Sequence, residues 1–288
     1  MRTFLAIFLL SAAHSLPAQS GVSAGPESVT VQDGGLHLRG LLWRPAGQGP
    51  FAAVVFNHGL GETGIDSAQV ERIAHHEIGP MFARHGYVLL YLFRRGEGLS
   101  RGQGNALGDS LAAEGRRAGP DAARILRERL LTTEQLDDVR AGIKFLRAQQ
   151  NVDRLRVAIV GHSFGAMLSI LAAESDSTLR AVVDFAGAAV SWDGSPTLRA
   201  RLLQAAERLT VPTFFIHASN DFSVAPAEAM AAVMSRRRQP YQLKIYPPEG
   251  SSEDEGHAFV YRAPSKWESD VFAFLDSHTR GSGPPNER

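Results

Sequence analysis

Residues 157–167 read Val-Ala-Ile-Val-Gly-His-Ser-Phe-Gly-Ala-Met. The apolar run at 157–160 predicts a strand, and the Ala- and Leu-rich stretch after Gly165 predicts a helix. A Gly-x-Ser-x-Gly turn joins them. A serine at the apex of so sharp a turn is held in a strained backbone conformation, its hydroxyl exposed above the sheet. Gly161 and Gly165 suit the turn because a larger side chain would crowd it. Two glycines and a serine at this spacing also occur in ordinary Gly-rich turns, so the strand before and the helix after give the motif its weight. Ser163 is therefore expected to be a nucleophile, in a hydrolase or an acyl-transfer enzyme.

A serine hydroxyl is a poor nucleophile at neutral pH. It needs a base, and the base needs an orienting carboxylate. On a strand–turn–helix scaffold of this kind the chain order is serine, then Asp or Glu, then histidine. Downstream of Ser163, residues 212–221 read as a strand running into a loop, with Asp221 a few positions past the strand end. Asp184, near the end of the preceding strand, is the competing carboxylate. Of the ten histidines, only His257 and His278 follow Asp221, and His278 falls near the end of the final helix. His257 is thus the candidate base, on a loop before that helix. His217 lies inside a strand and reads as a supporting or core residue. For the oxyanion hole, one backbone N–H is expected from Phe164, directly after the nucleophile. A second is expected from Leu60, in the Asn57-His58-Gly59-Leu60-Gly61 loop after an early strand. His58 is expected to pack or hydrogen-bond within that loop.

Strands are expected at 29–31, 36–43, 52–56, 87–93, 156–160, 181–185, 213–217 and 242–246. The first two pair through an Asp33-Gly34-Gly35 turn. Helices are expected at 67–84, from Thr132 onward with a Thr132/Gln135 capping box, after the serine turn, and at 197–209, 225–237 and 265–277. Leu136, Val139, Ile143 and Leu146 mark one helix face at helical spacing. Residues 105–131 read as one or two helices inserted over the sheet. The alternation implies α/β architecture: a mostly parallel central sheet with helices on both faces. Candidate residues fall at the carboxyl ends of the strands, where such sheets place their sites.

The 288 residues suffice for one large domain, expected at 25–278, with a disordered tail at 279–288. Net charge is +0, which gives no sign of nucleic-acid binding. There are no cysteines, which excludes disulfides, thiolate catalysis and cysteine-ligated metals. Met1-Arg2-Thr3 is a basic start, residues 4–13 are apolar but too short to span a bilayer, and small residues follow at Ala18, Ser20 and Ala24. This is the pattern of a signal peptide cleaved after residue 18, 20 or 24, and it implies export to the periplasm or the extracellular space. No other segment reads as a membrane span. The sequence leaves the oligomeric state open.

Together, Asn57-His58-Gly59, Arg94-Arg95-Gly96, Gly161-His162-Ser163-Phe164-Gly165, Asn220-Asp221 and Gly256-His257 resemble the α/β-hydrolase superfamily. The resemblance covers residues 36–275 and points to its dienelactone hydrolase-like and prolyl-oligopeptidase-like serine esterase branches. It implies the α/β-hydrolase fold, with Ser163 as nucleophile, Asp221 as acid and His257 as base. It implies ester cleavage through an acyl-enzyme, with a small-molecule ester as substrate and no metal or organic cofactor. Dienelactone hydrolases proper use cysteine, so the serine favours a general esterase. Prolyl-oligopeptidase-type exopeptidases carry a large N-terminal propeller for which the mature chain has no room, and this weighs against a peptidase.

Arg94, Arg95 and Arg101 follow a strand's carboxyl end, near the expected cleft mouth. Arg94 and Arg95 are candidates to bind a substrate carboxylate; pairing with Glu97 or Asp109 is the competing reading. The 105–131 insertion is either a lid or a structural decoration. Its many charges favour soluble esters over lipid. A peptidase or amidase on the same scaffold, and a non-catalytic binding protein, are the alternatives.

Overall fold

The structure, a computed structural model, describes residues 25–60 and 72–280. Its strands are β1 (Glu27–Asp33), β2 (Leu36–Trp43), β3 (Phe51–Asn57), β4 (Tyr87–Leu92), β5 (Val152–His162), β6 (Val182–Phe185), β7 (Thr213–Ala218) and β8 (Tyr241–Tyr246). They form one sheet in the order β1-β2-β4-β3-β5-β6-β7-β8. β1 and β2 pair antiparallel across the Gly34-Gly35 turn, and β2 pairs antiparallel with β4. Every other pair is parallel. This is the mostly parallel α/β architecture that the alternation predicts, and it is the α/β-hydrolase fold that the resemblance implies.

The central strands are apolar at nearly every position because both faces are covered. Side chains alternate across the sheet. Val55, Ile159, Val182 and Phe215 face one layer, built from α4 (Glu134–Arg147), α5 (Phe164–Ser175), α6 (Pro196–Arg208) and α7 (Ala225–Arg236). Val54, Val160, Val183 and Ile216 face the other, built from α1 (Gly79–Arg84) and α10 (Pro264–Thr279). On α4 the stripe Leu136, Val139, Ile143 and Leu146 is buried as its spacing predicts. Each such leucine contributes about 2 kcal/mol by leaving water. Among the described residues, no helix is long and apolar enough to cross a membrane.

The insertion is two helices, α2 (Leu107–Ala118) and α3 (Pro120–Thr132), separated by Gly119 at φ 89°. Leu130 and Leu131 are buried, and Ser195, the N-cap of α6, donates to Glu128, so α3 is fastened to the body of the fold. A cleft of about 630 Å³ opens between the β1–β2 turn and this insertion. Asp33, Leu36, Leu107, Arg129 and Glu134 line it, and Ser163, Asp221 and His257 do not.

Three boundaries differ from expectation. Thr132 caps nothing: α3 runs through it, and its hydroxyl donates back to the carbonyls of Glu128 and Arg129. The α4 N-cap is Thr133, which makes no side-chain cap. Second, α10 extends through Thr279, which is buried and bonded to Tyr87 Oη and the Leu275 carbonyl, so residue 279, expected in the tail, belongs to the helix. Third, His257 ends a short helix, α8 (Glu253–His257), followed by α9 (Phe259–Arg262). The signal-peptide reading of residues 1–24, the first turn of the helix expected at 67–84, and residues 281–288 of the tail lie outside the described residues.

Candidate active site

The turn from β5 into α5 is as tight as its sequence implies. Ser163 sits at φ 53°, ψ −115°, a backbone region that an L-residue enters only under strain of about 1–3 kcal/mol. Its N–H donates to the Phe185 carbonyl at 2.8 Å, which fastens the turn to the end of β6. A Cβ on Gly161 would stand 2.3 Å from the Gly165 carbonyl oxygen, so neither a side chain nor a looser turn fits there. Phe164 and the residues through Ala173 are all buried, with the sheet beneath α5 and neighbouring helices beside it.

Ser163 Oγ lies 2.9 Å from His257 Nε2, and His257 Nδ1 lies 2.8 Å from Asp221 Oδ1. Asp221 also accepts from Phe222 N–H at 2.8 Å, and its second oxygen lies 2.9 Å from His217 Nδ1. Burial would raise the Asp221 carboxyl, but its hydrogen bonds from His217 and His257 outweigh that and hold it below its ordinary value. An ionised carboxylate only accepts, so both imidazoles carry their proton on Nδ1. His257 Nε2 is then left bare to accept from Ser163. Asn220 aligns the two loops: its amide donates to the Glu249 and Ser252 carbonyls and accepts from Glu249 N–H at 2.9 Å. His162 Nε2 donates to the His257 carbonyl at 2.9 Å from the other side.

Asp184 does not reach His257. Its Oδ1 accepts from Gly187 N–H at 2.8 Å, and burial pushes its carboxyl up to about 6, with the charges of His217 and His162 opposing.

The loop after β3 lies directly over the nucleophile turn. Arg94 is buried at 1% exposure, with Nη1 on the His58 carbonyl at 2.6 Å, Nη2 on the Gly59 carbonyl at 2.8 Å and Nε on Gln135 Oε1 at 3.0 Å. Its guanidinium lies 5.6 Å from the centre of the Phe164 ring. In a trans peptide the N–H opposes the C=O. Drawing the Gly59 carbonyl toward Arg94 therefore turns the Leu60 N–H away from it. His58 stays within the loop: Nδ1 is 2.8 Å from the Gly59 carbonyl, and Nε2 accepts from Arg94 N–H.

Residues 38–274 match the model of the dienelactone hydrolase family. The chain belongs to the dienelactone hydrolase family. No curated protein matches its sequence. Among solved structures it is similar to an acylaminoacyl peptidase of Pyrococcus horikoshii (TM-score 0.64, 19% identity, 90% of this chain and 42% of that one). It is also similar to a dienelactone hydrolase of Anabaena variabilis (TM-score 0.59, 18% identity, 89% and 100%). A third is an esterase of Pyrococcus furiosus (TM-score 0.60, 15% identity, 93% and 96%). The chain thus spans about two-fifths of the peptidase and nearly all of the other two.

In this dienelactone hydrolase family member the two arginines after β4 bond protein oxygens. Arg94 serves the β3 loop, and Arg95 lies against α4. Arg95 bonds Asp138 through its backbone N–H at 2.7 Å and through Nε at 2.9 Å, and Asp33 through Nη2 at 2.7 Å. Neither Glu97 nor Asp109 is the partner. The substrate-anion reading of Arg94 is corrected accordingly, since its buried guanidinium is committed to protein oxygens; Arg95, paired with Asp138 and Asp33, lines the cleft beside the β1–β2 turn. Gln135 and Asp138 are functional-site supports that the sequence reading missed. The available signal was two polar residues three positions apart on the otherwise apolar face of α4.

Proposed function

We propose that the protein is a serine hydrolase that cleaves carboxylic esters through an acyl-enzyme intermediate. The observation that carries this is the hydrogen-bonded series Ser163–His257–Asp221 on a strained strand-to-helix turn. His257 takes the Ser163 proton through Nε2, and the alkoxide attacks the ester carbonyl. Asp221 stabilises the imidazolium that forms and does not itself take the proton. The backbone N–H groups of Phe164 and Leu60 receive the oxyanion, each worth about 3 kcal/mol of transition-state stabilisation. His257 then protonates the leaving alcohol, and water releases the acid.

The test is hydrolysis of short-chain p-nitrophenyl esters beside Ser163→Ala, with fluorophosphonate labelling of both. Turnover and labelling that vanish in the variant support the reading. Labelling absent from the native protein, with no turnover at any acyl length, would defeat it. A second reading, amide cleavage, is favoured by the likeness to an acylaminoacyl peptidase. Aminoacyl anilides assayed beside the esters separate the two. Export belongs to the same proposal through the leader read at residues 1–24. N-terminal sequencing of the exported protein checks it, and an intact Met1 would refute it.

A further inference from the structure

The proposed mechanism gives no part to the cleft of about 630 Å³ between the β1–β2 turn and the α2–α3 insertion. Its volume lies within the range of small-molecule sites, about 300–1,000 Å³. Leu36, Leu107, Leu126 and Leu130 give it an apolar wall drawn from β2, α2 and α3. Leu107 and Leu130 belong to the core, and Leu36 and Leu126 pack against it, so the wall is anchored. Of the five charged residues that line the cleft, four have protein partners. Arg95 pairs with Asp138 and with Asp33 at 2.7 Å, Glu134 lies 3.9 Å from Arg95, and Asp137 pairs with Arg140 at 3.1 Å. The fifth, Arg129, is exposed on α3 and has no carboxylate within ion-pair distance among the described residues.

Gln135 lines the same cleft from the first turn of α4, and its side chain is buried at 1% exposure. Its Oε1 accepts from Arg94 Nε at 3.0 Å. The oxygen and nitrogen of an amide point apart, so Nε2 is turned away from Arg94. There Nε2 donates to nothing among the described residues, an unfavourable state for so buried a side chain. Thr133 makes no side-chain cap on α4, and the N–H groups of Glu134 and Gln135 find no acceptor among the described residues. One leucine-walled cleft therefore offers an uncommitted guanidinium, an uncommitted amide N–H and the positive end of a helix. A carboxylate carrying an apolar chain matches all of them. An alkylammonium would bring donors to donors and a like charge to Arg129.

We propose that this cleft is a second binding site, for a small carboxylic acid with an apolar chain, and that it acts on the β3 loop through Gln135. The carboxylate takes the Arg129 fork, the Gln135 Nε2–H and the first N–H groups of α4, and the chain lies on the leucines. From Gln135 the path to the loop is two hydrogen bonds long. Oε1 holds Arg94 Nε, and Arg94 holds the His58 and Gly59 carbonyls at 2.6 and 2.8 Å. An acceptor on Nε2 polarises the amide and strengthens the bond that Oε1 accepts. Occupancy thus tightens Arg94 on the loop that carries the Leu60 N–H. The effect on turnover rests on the proposed serine-hydrolase reading, and the binding site does not.

Two measurements test this. The first needs no turnover: backbone amide NMR shifts of the native protein titrated with hexanoate, and with hexylamine as the charge-reversed probe. Hexanoate is expected to bind with a dissociation constant of about 1 mM, and hexylamine at least about tenfold more weakly. The shifts should cluster at residues 33–36, 107–110 and 126–135. Arg129→Gln should weaken hexanoate about tenfold. Gln135→Glu keeps an acceptor for Arg94 Nε and replaces the free N–H with a carboxylate oxygen, so it should abolish hexanoate binding. No saturable shift well above that concentration overturns the site. So do shifts confined to residues 163–165 and 257, and hexylamine binding as tight as that of hexanoate. The second measurement is turnover of p-nitrophenyl acetate with and without saturating hexanoate. The expected result is kcat raised about twofold with KM unchanged in the native protein, and no such response in Arg129→Gln. A kcat that is unmoved or lowered, or a KM that rises alone, overturns the coupling. A native protein without turnover that still binds hexanoate in the cleft refutes the hydrolase reading and keeps the site.

Discussion

A methyl group on Gly165 would stand 2.1 Å from the carbonyl oxygen of Asn57 and 2.4 Å from that of His58. The second glycine of the serine turn is thus the floor on which the β3 loop lies. The contact is backbone to backbone, so no side-chain rotation relieves it. Below the loop, Asn57 Nδ2 donates to Ser169 Oγ at 3.0 Å, and Ser169 donates to the Gly165 carbonyl at 2.8 Å. Gly165→Ala must lift the loop and with it the Leu60 N–H. The expected outcome is a fall in kcat of about 100-fold or more, as for loss of an oxyanion donor. A fold penalty of about 1–3 kcal/mol for overpacking should accompany it. Ester kinetics and urea unfolding of the variant check both, and a variant within tenfold of native kcat would show that the loop tolerates displacement.

Arg94 holds the same loop from the other side. Its fork spans two consecutive carbonyls, a geometry that a lysine's single ammonium does not reproduce. Arg94→Lys and Arg94→Met should both lower kcat, roughly tenfold and 100-fold, with smaller changes in KM, because the interaction matters most when the oxyanion forms. The loss should be equal for neutral and carboxylate-bearing esters. A loss confined to the anionic esters would instead return Arg94 to substrate binding.

The order of elements, and the three residues that meet at the site, were legible because they are local. Each central strand announces itself by an apolar run, and Ser163, Asp221 and His257 each follow a strand end in a fixed order. Pairings between distant segments were not legible. Arg94 and Gln135 are 41 positions apart, and Arg95 and Asp138 are 43 apart. Position alone puts both arginines at the cleft mouth, and only the packing of α4 against the loop after β4 turns them in. The Thr132/Gln135 pattern misled for a related reason. α3 runs on to Thr132 and takes its hydroxyl, while Gln135 is drawn away to Arg94. His217 read as a supporting residue on strand position, and its partner Asp221 lies only four residues on.

Arg95 and Asp138 form a buried ion pair, with the Asp138 side chain at 0% and that of Arg95 at 15% exposure. Removing one partner strands the other, a change that typically costs about 3–5 kcal/mol. Arg95→Met should therefore lower stability by about 3 kcal/mol in urea unfolding at neutral pH. It should alter the kcat/KM ratio of anionic to neutral esters by less than about twofold. Intact stability together with a collapsed preference for anionic esters would show that Arg95 faces the substrate.

Asp184 sets a stability that depends on pH in a definite direction. Burial raises its carboxyl from 3.8 to about 6 in the folded protein. Between those values the native state holds a proton that the unfolded chain has released, so stability falls as pH rises from about 4 to about 6 and then levels. Asp138, also raised to about 6 by burial, adds a slope of the same sign in the same window. Asp221, held below 3.8, acts the other way and loses its contribution only as pH drops below that value. Asp184→Asn keeps an acceptor for Gly187 N–H and removes the titration. Its stability relative to the native protein should therefore rise across pH 4 to 6, by at most about 3 kcal/mol, and stay constant above. Urea unfolding of both proteins at half-unit steps from pH 4 to 7.5 measures the difference. Two parallel curves would mean that Asp184 is ionised in the fold throughout that range.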